Sequence, residues 1–420
     1  MWRQEDHRPM VDRPKGFPNQ KSSGSAQEAT VSFRFYITSL LILTAIFFLN
    51  FLSRIALAPL LPTIENDLNI GHGAAGSLFF LISIGYCMGL LGSGFISFRL
   101  THRDTIVLSS MAVGVALLAV SLSESLWATR LGLVALGVAA GLYLPSGIAT
   151  ITALVGSRDW GKAVGIHELA PNMSYLSAPL LVELLMTWFS WRGIIAVLGA
   201  ASVGVGLIFM RFGRGGTFHG ATPSPGTLQV LFVKPSLWIM MMLFSMGIGG
   251  TLGVYAMLPL YLVAERGIER GLANTLVALS RIPAPGAALL GGWVSDRLGR
   301  KQALMGVFLA TGIATVLLGT VPGLWVIPVL FVQCLFAVCF FPAGFSALSS
   351  ISAPEVRNVA VSLAIPVAYV VGGGAVPTGI GVMGEHYFFS WGIMGFGGLL
   401  LVGIVLLRYL TYYEDTRANT

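Results

Sequence analysis

The sequence predicts an all-α membrane protein: twelve transmembrane helices in two pseudo-symmetric six-helix bundles. Three observations predict it. Of 420 residues, 55% are hydrophobic and only 10% are charged, whereas soluble domains carry roughly 25% charged residues. Uncharged runs of about 20 residues, the length that crosses a bilayer as a helix, recur along the chain. The two halves also repeat. Residues 94–103 align with 292–301, 141–147 with 338–344, 178–179 with 376–377 and 189–191 with 389–391, at offsets of 197 to 200. Parallel repeats enclosing a midplane site are a transporter design.

The elements follow in order. Residues 1–32 are polar, with mixed charge, and read as a disordered tail. An N-terminal bundle over 33–211 holds spans at 36–61, 74–98, 105–122, 127–154, 163–189 and 193–210. A polar linker over 212–234 leads to a C-terminal bundle over 235–410. Its spans lie at 237–264, 272–295, 303–321, 324–350, 359–383 and 388–407, and 411–420 form a second tail. Nineteen Lys and Arg residues fall on the side of the two tails, and four on the other. By the positive-inside rule both termini are cytoplasmic, with the chain in the cytoplasmic (inner) membrane.

Several classes are excluded. The net charge of +7 is scattered over short loops, so no nucleic-acid patch is expected. Cys87, Cys334 and Cys339 sit in apolar runs and read as packing residues. Neither a phosphate-binding loop, a Ser-His-Asp pattern nor a metal-ligand spacing is present. We expect no enzyme activity, no cofactor and no metal.

The stretch Gly291-Gly-Trp-Val-Ser-Asp-Arg-Leu-Gly-Arg-Lys301 joins spans 8 and 9. Residues 296–301 are expected to make the whole connection, with Asp296 stabilising the next helix N-terminus and Gly299 taking positive φ. From Gly292 to Lys301 this stretch resembles the signature loop of the major facilitator superfamily of secondary transporters. The resemblance implies the major facilitator fold and alternating access. It also implies a conformational-switch loop made of Gly292, Asp296, Arg297, Gly299 and Arg300. The first-half counterpart is degenerate, with Phe98 at the position of Asp296 and Thr101 at that of Gly299.

Charges inside spans are costly and usually functional. Arg281 lies about 15 Å from its helix end at 1.5 Å per residue, close to the midplane and beside Pro283 and Pro285. Arg54 shares a helical face with Asn50. Span 1 resembles that of organic-anion (monocarboxylate) symporters of the superfamily, although Ser53 stands where those carry an Asp. Glu168 and its neighbour His167 in span 5 are the candidate proton-coupling residues. Asn172, Tyr143, Tyr255, Gln333 and Tyr369 complete the candidate substrate-binding set; each is also a plausible packing residue. The expected function is proton-coupled symport of a small organic anion, a carboxylate, by a monomer whose other partners are protons and membrane lipid. Two alternatives stay open: a proton-driven exporter of amphipathic drugs or metabolites, and a non-transporting membrane sensor.

Overall fold

A computed structural model describes residues 36–156, 159–220, 234–352 and 357–412, with side chains from 360 onward in the last segment. The tail at 1–32, most of the linker and nearly all of the C-terminal tail lie outside the described residues. Among the described residues, ten helices are long and apolar enough to cross a membrane. They correspond to spans 1–4, 6, 7 and 9–12. Spans 5 and 8 are the remaining two, and each is split. Span 5 consists of Trp160–His167 and Leu169–Leu185. Span 8 consists of Arg270–Leu279 and Ala284–Leu298.

Most helices extend beyond their apolar runs. Span 1, for example, continues to Leu68 rather than 61. The link between spans 8 and 9 is likewise shorter than the sequence suggests. Helix Ala284–Leu298 and helix Arg300–Thr320 are separated only by Gly299, at φ 87°. Asp296 therefore lies in the last turn of the first helix and does not cap the second. Hydrogen bonds can continue through 296–298 because each residue there still has a free N–H, and only glycine tolerates the reversal that follows.

Proline places the interruptions. A proline removes the N–H that would bond the carbonyl four residues back. Breaks fall at Ala56, Leu142, Glu168 and Cys339, each three residues before Pro59, Pro145, Pro171 or Pro342. Span 8 opens between Leu279 and Ala284, around Pro283. Spans 7 and 11 widen instead into π-helical turns, Gly249–Gly253 and Tyr369–Ala375. Their backbones touch there: a Cβ on Gly253 would lie 2.4 Å from the Gly372 carbonyl oxygen.

The packing repeats between halves. Span 2 packs on span 4 as 8 does on 10, and span 3 on 6 as 9 does on 12. Between the halves, span 1 meets 7, 2 meets 11 and 5 meets 8. The polar contacts described between the halves run from the midplane to the end opposite the 291–301 loop. There Glu385 accepts from the Gly73 N–H at 2.8 Å, and Arg270 pairs with Glu183 at 3.2 Å. Asn274 donates to Glu183 Oε1 at 2.6 Å and to the Pro59 carbonyl oxygen at 3.3 Å. The bundle is thus closed at that end.

Candidate substrate site

The two intramembrane arginines lie on either side of the interface between the halves, and both are buried. Arg281 sits in the break of span 8, where Pro283 ends regular bonding. Its Nη2 donates to the Thr251 carbonyl oxygen at 3.0 Å, inside the π turn of span 7. Its guanidinium lies over the rings of Tyr175 (4.6 Å) and Tyr255 (4.9 Å). Nε and Nη1 are buried with no hydrogen-bond partner among the described residues.

Arg54 is arranged alike. Its Nε donates to the Asn50 carbonyl oxygen at 3.3 Å. Its guanidinium lies over Tyr86 (4.2 Å), Phe51 (4.8 Å) and Tyr369 (5.7 Å). Nη2 has no partner. Phe51 and Tyr175 join the two cages edge to face at 5.2 Å. Among the described residues, no carboxylate lies within ion-pair distance of either arginine. Glu168 in particular pairs with neither.

An arginine at mid-membrane costs about 2.5–3.5 kcal/mol on insertion scales. A cation–π contact offsets roughly 0.5–2 kcal/mol. The aromatic cages therefore offset part of the cost and leave strong donors without acceptors. A bidentate anion is the group that satisfies such a fork. The cavity beside Arg54, lined by Phe51, Phe79, Ser83, Tyr86 and Tyr369 among others but not by Arg281, has only about 20 Å³ of room for water. This conformation thus holds the Arg54 side of the site collapsed.

The remaining candidates divide. Tyr255 and Tyr369 belong to the cages. Gln333 is buried and donates to the Gly250 carbonyl oxygen at 2.9 Å, with Oε1 unpartnered; it supports the π turn that holds Arg281. Asn50 donates to the Ala140 carbonyl oxygen at 3.1 Å and ties span 1 to span 4. Asn172 donates back to the Glu168 carbonyl oxygen at 3.2 Å, in the break that Pro171 makes. Tyr143 and His167 form a separate buried pair beside the half-exposed Glu168. Gly292, Asp296, Arg297, Gly299 and Arg300 lie at the loop end, away from the arginines. There Arg300 donates to Ser350 Oγ at 2.6 Å. Tyr86 and Phe51 are cage members that the sequence does not single out. Tyr175 follows Asn172 on one face of span 5, which is a usable signal; Tyr86 has none.

The sequence profile of the Major Facilitator Superfamily matches residues 43–287 and 254–420. The chain belongs to this superfamily. Its similarity to individual members is low. It is 24% identical over 308 residues to the membrane sensor protein UhpC of Salmonella typhimurium, covering 67% of this chain and 69% of that one. It is 25% identical over 286 residues to the probable nitrate/nitrite transporter NarK2 of Mycobacterium tuberculosis, covering 66% and 70%. It is 22% identical over 306 residues to the probable sulfoacetate transporter SauU of Cupriavidus necator, covering 67% and 70%. Among solved structures, an inward-facing bacterial homologue of the human lysosomal transporter Spinster superposes with a TM-score of 0.76 at 16% identity, covering 90% of this chain and 96% of that one. The superfamily assignment makes this a multi-pass membrane protein of a small-molecule transport family.

Proposed function

We propose that the protein is a secondary transporter that carries a small organic anion by alternating access, in symport with protons. One observation supports this above others. Arg281 is buried at the midplane with Nε and Nη1 unpartnered, and Arg54 mirrors it across the interface. Two buried cations without a carboxylate partner, linked through the Phe51–Tyr175 contact, favour a negative substrate. An exporter of amphipathic drugs would be better served by a neutralised Arg281. Two of the similar proteins are named for anions, nitrate/nitrite and sulfoacetate.

The charge bias of the loops puts the 291–301 loop and both termini in the cytoplasm. With the opposite end closed, this conformation is then not outward-open. Glu168 is half exposed on the cytoplasmic side and serves as the proton-coupling group. Sensing without transport is the second reading, because one similar protein is named a membrane sensor. A test of the function is thermal-shift screening of the purified protein against sulfoacetate, nitrate, simple carboxylates and cationic drugs, followed by counterflow in proteoliposomes. Stabilisation by anions with counterflow supports transport. Stabilisation by anions without counterflow supports sensing, and stabilisation by cationic drugs alone removes the anion reading.

A further inference from the structure

A second polar cluster lies beside the arginine cavity. His167 is fully buried, and its ring stacks on Phe47 with centroids 4.4 Å apart and planes 4° from parallel. Its Nε2 lies 3.0 Å from Tyr143 Oη. Tyr143 donates its single hydroxyl hydrogen to the Leu43 carbonyl oxygen at 2.7 Å, and a carbonyl can only accept. The tyrosine oxygen therefore has only lone pairs left for the histidine. Nε2 must carry a hydrogen and donate it.

The other ring nitrogen is then decisive. Nδ1 is buried, makes no hydrogen bond of normal geometry, and faces Glu168 Oε1 at 3.4 Å. A bare Nδ1 lone pair facing an ionised carboxylate would set two acceptors against each other. One proton between them removes the conflict. It sits either on Nδ1, as imidazolium against carboxylate, or on Oε1, as carboxylic acid against neutral ring.

We propose that His167 Nδ1 and Glu168 Oε1 form a single-proton site, loaded in this conformation, with Tyr143 fixing the ring nitrogen that takes part. The proposal rests on the proton-coupled reading above and assigns its atoms. Glu168 is half exposed and His167 is not, so the proton exchanges with water through the carboxylate. The groups facing the pair are Tyr143 from span 4 and Phe47 from span 1. Across the centre, Tyr86 and Tyr369 lie in the fields of both Glu168 and Arg54.

The test is ¹⁵N NMR of full-length protein labelled at histidine, recorded without substrate over pH 5–9, an ordinary working range for imidazole titration. The His167 signal is the one lost in His167→Gln. If that variant does not fold, the signal that changes in Glu168→Gln identifies it. The expected ring has Nε2 protonated throughout and Nδ1 sharing a proton. In Glu168→Gln the shared proton is lost, because the amide donates to Nδ1 instead. In Tyr143→Phe the two neutral tautomers mix. A parent ring carrying its hydrogen on Nδ1 with Nε2 bare would overturn the proposal. So would a Glu168→Gln spectrum in which every histidine keeps its parent signals. Since no anion is present, failure of the anion reading leaves this result standing, and the two are judged separately.

Discussion

Arg281 and Thr251 are joined across two interrupted helices: the guanidinium Nη2 of span 8 donates to a carbonyl oxygen at 3.0 Å in the π turn of span 7. A π turn takes carbonyls out of the regular ladder and often marks a functional site. This one holds the guanidinium by a single edge while Nε and Nη1 stay without partners. Arg281→Lys keeps the charge but loses the planar fork. Anion affinity in this variant should fall by roughly 10–100-fold, about 1.4–2.7 kcal/mol, measured by calorimetry with whichever anion the screen identifies.

The closed end makes a separate prediction. Glu385 of span 11 accepts from Gly73 at the start of span 2, where the helix dipole favours an anion. Removing such a cap costs about 0.5–2 kcal/mol. Glu385→Gln should therefore move the conformational equilibrium away from this state by roughly 2–30-fold. Spin labels at Asn66 and Tyr387, both exposed, should report a longer distance in the variant. An unchanged distance distribution would remove Glu385 as a latch.

Asp296 is exposed in the last turn of helix Ala284–Leu298. A negative charge is unfavourable at that end of a helix dipole, by about 0.3–1 kcal/mol. Its benefit must then lie in the other conformation. Asp296→Asn should melt no lower than the parent and transport more slowly. Parent-like turnover in proteoliposomes would take Asp296 out of the conformational cycle.

Span 2 and span 4 touch backbone to backbone. A Cβ on Gly85 would lie 2.2 Å from the Val134 carbonyl oxygen, whereas one on Gly204 would meet nothing within 4 Å. Gly85→Val should destabilise the bundle by about 1–3 kcal/mol, the usual cost of overpacking. Gly204→Ala should be neutral. Melting in detergent compares the two.

Much of the fold is legible in the sequence because lipid imposes its rule residue by residue. Long apolar runs, loop charges and the 197–200 offset identify twelve spans and their pairing. The breaks at Ala56, Leu142, Glu168 and Cys339 sit three residues before prolines, but the sequence does not single those prolines out, since Pro62, Pro179, Pro259 and Pro366 lie inside unbroken helices. The π turns are not legible either, since Gly249-Gly250 and Gly372-Gly373-Gly374 read as ordinary close-packing glycines. The site is legible only where it is charged. Arg54, Arg281 and Glu168 are conspicuous in apolar surroundings. Tyr86 and Phe51 are not, because an aromatic residue that cages a guanidinium has the same composition signature as one that faces lipid. Asn50 and Gln333 mislead in the opposite sense: polar residues inside spans also serve to satisfy backbone carbonyls between helices.

The central claim is that Arg281 binds the substrate anion. The direct measurement is calorimetry on purified Arg281→Ala with the anion that stabilises the parent, alongside Gly204→Ala as a folded control. Truncating one partner of a buried, hydrogen-bonded charge pair costs about 2–5 kcal/mol. Affinity should therefore fall at least roughly 30-fold while the variant still elutes and melts as a folded protein. Parent-like affinity in folded Arg281→Ala would contradict the account.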